Sequence, residues 1–321
     1  MPRPLLCPQV LLSKDLTGRH IVITGANTGI GAVCAEQLAR QGATVVLACR
    51  RVDAAKACAT QIQSRNFSAQ VSVRELDLAD LDSVRRFAAD YLADGKPLHA
   101  LINNAGVMNT KQKKTKDGFD LQFGVNHLGH FLLTSLLLDH LKACAPSRIV
   151  SLSSCFHDQA MGRDGVIHFD DLHFEQRRYD GWEAYAQSKL ANVLHARGLA
   201  DRLEGTGVTA VSVHPGWVRT DLAKNSMPLF VQNILLRPFL SMMGMLEPWE
   251  GAQSTLFATL SDDLEAGAFY SQTGVYRDKS CNGGGWPLTS PNPAVHQPGM
   301  ADRLWNVSAE LVGLASGETA G

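Results

Sequence analysis

Ile21-Val22-Ile23-Thr24-Gly25-Ala26-Asn27-Thr28-Gly29-Ile30-Gly31 runs a β-branched apolar segment straight into three glycines, and helical spacing follows through Arg40. A strand that ends in such a turn and opens a helix is built to receive a phosphate. Gly25 allows the tight turn, Gly29 lets the main chain approach a pyrophosphate, and Gly31 permits close packing of helix on sheet. The helix start adds unpaired N–H groups and a partial positive charge. Asn27, Thr28 and Ile30 belong to the same cradle. A lone glycine triplet is often only a turn; its place directly after the first β-run favours the binding reading.

Working outward, short β-branched runs recur at 44–48, 71–76, 98–103, 148–153 and 208–213. Helical stretches such as 83–92, 126–141 and 184–203 separate most of them. Strands that alternate with helices cannot pair as hairpins, so they build a parallel sheet with helices on both faces. Right-handed crossovers then give a single α/β domain, a doubly wound parallel-sheet Rossmann fold over 16–314. Residues 1–15 read as an N-terminal arm and 315–321 as a tail. Two stretches break the rhythm, 156–183 and 222–250, and both are candidate substrate walls. Within the second, the apolar run at 227–249 reads as an extended, mobile substrate lid lined by Met242, Met243 and Met245, with a core segment as the alternative. The segment 281–299, rich in glycine and proline, reads as an irregular loop. A terminal helix follows, with Leu304, Val307, Leu311 and Val312 on one face.

Composition narrows the function classes. Of 321 residues, 45% are hydrophobic and 19% charged, enough for a sizeable core, and the net charge of -1 offers no field for nucleic acid. The seven cysteines are odd in number, scattered and without a C-x-x-C pair. That suits a reducing, cytoplasmic setting and argues against a disulfide framework or a zinc site. The apolar run at 4–12 is too short to span a bilayer and is broken by Pro8, so no transmembrane anchor is expected; peripheral contact with a membrane or lipid surface stays open. The basic run at 111–116 reads as a solvated loop. His127 and His130 read as packing or supporting residues sharing a helix face, with no metal set around them.

The end of the second β-run selects the cofactor. An acidic residue there would bind the free 2′-hydroxyl of NAD. The sequence instead reads Ala48-Cys49-Arg50-Arg51, with no carboxylate before Asp53. A guanidinium suits a 2′-phosphate, so NADP(H) is expected, gripped by Arg50; the bland alternative is a solvated loop. Asp77 and Leu78 would meet the adenine, and Asn104, Ala105 and Gly106 would lie along the ribose.

Tyr185-Ala186-Gln187-Ser188-Lys189 sets a phenol and an ammonium one helical turn apart on one face. A tyrosine is a poor base at neutral pH, and an adjacent ammonium and the positive nicotinamide ring favour its phenolate. In a carbonyl reduction Tyr185 would give its proton to the forming alkoxide, and Lys189 would also hold the ribose hydroxyls. Ser154 would hydrogen-bond the substrate oxygen. Asn126 would hold a water linking Lys189 to solvent. Such a Tyr/Lys pair alone is commonly accidental; with the glycine loop, the asparagine pair and a serine on the right strand it becomes a catalytic set.

These motifs resemble the short-chain dehydrogenase/reductase superfamily, and more narrowly the retinol dehydrogenases. The resemblance rests on the glycine loop at 24–31, Asn103-Asn104-Ala105-Gly106, Val125-Asn126-His127-Leu128-Gly129-His130, Ser153-Ser154 and Tyr185 to Lys189. Pro215, Gly216, Val218 and Thr220 complete it; in the family this segment covers the nicotinamide carboxamide side. The resemblance implies an NADP(H)-dependent oxidoreductase that interconverts a lipophilic aldehyde or ketone and its alcohol, retinal and retinol among them. It also implies pairing into a homodimer or homotetramer through the helices carrying Asn126 and Tyr185. Two other readings use the same scaffold: a carbon–carbon double-bond reductase, and a non-catalytic NADP-binding sensor or scaffold.

Overall fold

The computed structural model describes residues 3–220 and 244–314. β1 (His20–Thr24) sends Ile21 and Ile23 into one core and Val22 into another, all three buried. A strand apolar on both faces needs cover on both, and the remaining strands extend that condition sideways. β2 (Thr44–Cys49), β3 (Gln70–Glu75), β4 (Ala100–Asn103) and β5 (Ser147–Leu152) lie parallel to it. A small hairpin follows, β6 (Gln159–Ala160) with β7 (Arg163–Asp164). β8 (Val208–His214) and β9 (Phe269–Ser271) continue the parallel sheet, and β10 (Gly285–Leu288) closes it antiparallel to β9. The order is β3-β2-β1-β4-β5-β8-β9-β10, so the chain reverses direction between β1 and β4. Ligands of open α/β sheets bind at that switch point, beyond the carboxyl ends of the strands.

The helices follow in chain order: α1 (Gln9–Leu12), α2 (Gly29–Arg40), α3 (Val52–Arg65) and α4 (Leu81–Ala93). Next come α5 (Leu121–Phe123), a π turn over Gly124–Leu128, α6 (Gly129–Ala143) and α7 (Gly181–Arg202). α8 (Pro248–Leu260) and α9 (Met300–Leu311) are the last helices among the described residues. α2, α3 and α8 cover the Ile21/Ile23 face with residues such as Leu38, Ile62 and Leu256. α4, α6, α7 and α9 cover the other with Phe87, Leu132, Leu194 and Trp305. Each such buried side chain contributes about 1.5–3 kcal/mol.

The structure refines several expectations. The helix expected from 126 begins at Leu121, where buried Asp120 caps it by accepting from Gln122 and Phe123 N–H. The segment read as an irregular loop holds strand β10. Its glycines and Pro287 hid it, and an edge strand tolerates proline where a central one does not. On α9 the buried residues are Leu304, Trp305, Ser308 and Ala309, with Val312 just beyond; Val307 and Leu311 flank them, half-buried. The arm is tied down: Leu5 exchanges two hydrogen bonds with the Gln272 amide, and Cys7 N–H donates to Gln253 Oε1 at 3.0 Å. Residues 221–243, most of the expected lid including Met242 and Met243, lie outside the described residues. Met245 is buried.

Candidate active site

Asp180 caps α7 by accepting from Trp182 and Glu183 N–H, which fixes where the Tyr185 helix begins. The helix lies against the end of β5. Lys189 Nζ donates to the Leu152 carbonyl at 2.9 Å, and Asn192 Nδ2 donates to the same oxygen at 2.9 Å. Ser153 Oγ donates in return to the Lys189 carbonyl at 2.7 Å. Lys189 Nζ stands 5.6 Å from the centre of the Tyr185 ring. An ammonium has three donors, and among the described residues only the Leu152 carbonyl accepts from this one, so the site keeps polar capacity for a ligand.

Burial governs the charges. It raises the Tyr185 phenol above its ordinary value, while a hydrogen bond with the Ser154 hydroxyl pulls the other way without prevailing. It also draws the Lys189 ammonium down to about 7. Within the chain itself desolvation prevails and the phenol keeps its proton; the phenolate expected from the sequence counted on the positive nicotinamide ring beside the ammonium. Ser154 lies at the turn after β5, accepting from Phe156 N–H at 3.2 Å. Its carbonyl meets His157 Nδ1 at 2.6 Å, and His157 Nε2 meets Ser290 Oγ at 2.7 Å. Phe156 packs edge-on to Trp182 at 5.5 Å and to Tyr185 at 6.2 Å, so an aromatic corner flanks the phenol. This turns the start of the 156–183 stretch toward the site.

Asn126 lies in the π turn, fully enclosed. Its side chain clamps Val107 by accepting from the N–H at 2.8 Å and donating to the carbonyl at 2.9 Å, and it also donates to Ser188 Oγ at 2.9 Å. A Cβ placed on Gly106 would lie 3.1 Å from Asn126 Oδ1 and 3.6 Å from Lys189 Nζ. The turn after β4 therefore runs between the two groups, which brings Asn126, Lys189, Tyr185 and Ser154 into one cluster.

The glycine loop adjoins that cluster. A Cβ on Gly25 would fall 2.9 Å from Ala105 Cα, and one on Gly31 would fall 2.5 Å from Asn104 Nδ2 and 2.9 Å from Ala26 Cα. Neither position admits a side chain. Asn104 Nδ2 donates to the Thr24 carbonyl at 2.7 Å, which ties the turn after β4 to the end of β1. Thr28 stands at the N-cap of α2 without a side-chain capping bond, leaving the first N–H groups of the helix for an anion. A cradle without side chains beside an uncapped helix start fits a dinucleotide pyrophosphate. Beyond β8, Val218 bridges to Leu246, and Thr220 Cγ2 would lie 3.0 Å from a Cβ on Gly29. The segment holding Pro215, Gly216, Val218 and Thr220 thus crosses the loop.

The model of the family described as short chain dehydrogenase matches residues 19–166. Retinol dehydrogenase 12 of Bos taurus is 47% identical over 302 residues, 94% of this chain and 88% of the relative. The chain belongs to the short-chain dehydrogenase/reductase family. Retinol dehydrogenase 11 of Mus musculus is 46% identical over 97% of this chain and 92% of its own length. An uncharacterised protein from Mycobacterium Paratuberculosis, 37% identical, shares the fold at a TM-score of 0.69 over 94% of this chain and 96% of its own. A short chain dehydrogenase from Burkholderia cenocepacia J2315, solved in complex with NADP, is 24% identical with a TM-score of 0.62, over 80% of this chain and 97% of its own. As a short-chain dehydrogenase/reductase the chain is an oxidoreductase acting on CH–OH groups, and its family works with a nicotinamide dinucleotide.

Within this short-chain dehydrogenase/reductase the other expected residues lie further out. Arg50 directly follows β2, exposed, and among the described residues no ion pair engages it. Asp77 and Leu78 form the turn after β3, where the Leu78 carbonyl would be 2.6 Å from a Cβ on Gly129. Sequence reasoning missed the Leu152 carbonyl, which no side-chain pattern announces. It also gave Thr24 no place in the site and read His130 only as a packing or supporting residue; both lay inside quoted motifs. His127 and His130 do not act together: His127 Nε2 meets Ser308 Oγ of α9 at 2.8 Å, while His130 faces β1.

Proposed function

We propose that this chain interconverts a lipophilic aldehyde or ketone and its alcohol with NADP(H), with retinal and retinol the leading pair. The observation that carries the reading is the enclosed Tyr185–Lys189–Ser154–Asn126 cluster with the Phe156–Trp182 aromatic corner packed beside it. A polar centre with an apolar flank suits a carbonyl at the end of a hydrophobic body. Retinal enters because the relatives nearly half identical to the chain are named retinol dehydrogenases.

The cofactor, when bound, supplies or takes the hydride at the carbonyl carbon. The chain does the rest. Ser154 and Tyr185 hydroxyls hold the carbonyl oxygen, and Tyr185, kept protonated by burial, gives its proton to that oxygen as negative charge develops. Lys189, anchored by the Leu152 carbonyl, stabilises the phenolate left behind and has donors to spare for ribose hydroxyls. Asn126 fixes the turn at Val107, and its Oδ1, with one lone pair beyond the Val107 N–H bond, is the acceptor for the water through which the proton is replaced. Gly25, Asn27, Thr28, Gly29, Ile30 and Gly31 cradle the pyrophosphate, Arg50 grips the 2′-phosphate, and Asp77 with Leu78 borders the adenine. Pro215, Gly216, Val218 and Thr220 close over the nicotinamide end.

Seven free cysteines support a reducing, cytoplasmic setting. Among the described residues no helix is long and apolar enough to cross a membrane. Contact with a lipid surface, where such substrates partition, is part of the proposal, with exposed Leu6 and Val10 as the candidate touching residues.

The test is cofactor consumption by the purified protein, NADPH against NADH, with all-trans-retinal and a panel of aliphatic and aromatic aldehydes. NADPH-dependent turnover of retinal is expected. Arg50→Ala is expected to weaken NADPH binding about 10- to 100-fold, the worth of one charge-assisted contact, and to leave NADH unchanged. Tight NADPH binding without turnover of any carbonyl would overturn the reading.

A further inference from the structure

Thr24 Oγ1 is fully buried at the end of β1 and has four polar neighbours. The N–H groups of Asn104 and Ala105 lie at 2.9 Å each, His130 Nε2 at 2.8 Å and the Ile102 carbonyl at 3.5 Å. A hydroxyl has one proton and two lone pairs. The two N–H groups occupy the lone pairs, so the proton goes to the nearer acceptor, His130 Nε2. That nitrogen is then unprotonated, and the neutral ring carries its hydrogen on Nδ1. Nδ1 lies 3.1 Å from the main-chain carbonyl oxygen of Asn126. Burial keeps the ring neutral, at about 4, so this tautomer holds at physiological pH.

The two bonds end at different parts of the site. Thr24 immediately precedes Gly25, and its hydroxyl holds the turn at Asn104 and Ala105 against which the glycine loop packs. Asn126 lies in the π turn, where main-chain pairing shifts to Gly129 N–H with the Gly124 carbonyl. The Asn126 carbonyl is taken by the His130 ring. Its side chain then meets Val107 and Ser188 at fixed distances.

We propose that His130 is a positioning residue with two separable tasks: Nε2 sets the glycine loop for the dinucleotide, and Nδ1–H sets the turn that presents Asn126 to Lys189. The proposal rests on the site reading given above. His127, three residues earlier in the same motif, is the built-in contrast, since it bonds Ser308 and packs against Trp305's neighbours Phe131 and His195.

Asparagine and glutamine divide the two tasks. His130→Asn puts an amide N–H where Nδ1 was and loses the Thr24 bond. His130→Gln puts a carbonyl oxygen near the Nε2 position and loses the Asn126 bond. NADPH Kd without substrate, kcat at saturating NADPH and Tm are measured for both, with His130→Ala and His127→Ala alongside. His130→Gln is expected to keep NADPH Kd within about twofold and lose about tenfold in kcat, the worth of one hydrogen bond. His130→Asn is expected to do the reverse, and His130→Ala to lose both. His127→Ala is expected to lower Tm with Kd and kcat nearly intact. Parallel losses in the Asn and Gln variants, tracking Tm, would overturn the proposal and leave His130 a packing residue. If the wild type turns over no carbonyl, the catalytic reading fails instead. The Kd comparison still decides the Thr24 half, with equal affinity in the two variants counting against it.

Discussion

Lys189 and Tyr185 are both driven by burial toward their neutral forms, and pH reads that directly. Tyr185 stays protonated across the neutral range. Lys189, drawn from 10.5 to about 7, gains its proton as pH falls through that value. The ammonium stabilises the phenolate formed when Tyr185 gives up its proton, so kcat for carbonyl reduction is expected to rise as pH falls from about 8 to about 6. Alcohol oxidation, which needs the phenolate, is expected to rise in the opposite direction. A flat profile in both directions would contradict the assignment. The same shift bears on stability. Between about 7 and 10.5 the unfolded chain binds more protons at this site, so stability rises with pH there. At this scale the sequence showed residue types well and environments poorly. Tyr185, Lys189, Ser154 and Asn126 were legible from spacing, but the sign of the Tyr185 shift depends on burial by Ser154's loop and α7, which spacing does not reveal. The Leu152 carbonyl was invisible because every residue carries one.

Elements were legible where a period was strong. β1, β2, β5 and β8 are apolar on both faces, and their runs could be read almost residue by residue. β10 was not, because Gly285 and Pro287 belong to an edge whose pairing partner, β9, lies fourteen residues or more away in the chain. The π turn before α6 was also hidden, since Gly124 and Gly129 signal only that neighbours come close. The glycine loop gives the sharpest element-scale prediction. In Gly31→Ala the new Cβ would meet Asn104 Nδ2 at 2.5 Å and Ala26 Cα at 2.9 Å. Either the Asn104–Thr24 bond breaks or the loop shifts. NADPH affinity is expected to fall at least about tenfold, with about 1–3 kcal/mol of stability lost. Unchanged NADPH titration would show that the loop does not approach its ligand as described.

Across the whole molecule, α7 is the axis of the site and its middle is covered on every side. Every residue from Ala184 to Ala196 is buried within one chain. α9 lies on it: Trp305 meets Phe131 at 4.9 Å and His195 at 5.6 Å, Arg202 stacks over Trp305 at 4.2 Å, and Arg202 pairs with Asp302 at 3.0 Å. The resemblance implied pairing through the helices of Asn126 and Tyr185, yet the chain's own last helix occupies that side of α7. Sedimentation is therefore expected to show a monomer. Trp305→Ala is expected to cost about 3–5 kcal/mol and to expose an apolar face that associates. A stable wild-type dimer would mean that pairing uses another surface or displaces α9.

The central claim is that one enclosed phenol moves the proton in an NADPH-linked carbonyl reduction. Tyr185→Phe removes that proton and nothing else of the packing against Phe156. The account predicts that this variant binds NADPH as the wild type does and turns over all-trans-retinal, or whichever aldehyde the wild type reduces, at least about a thousandfold more slowly. Turnover within a few-fold of wild type would contradict it.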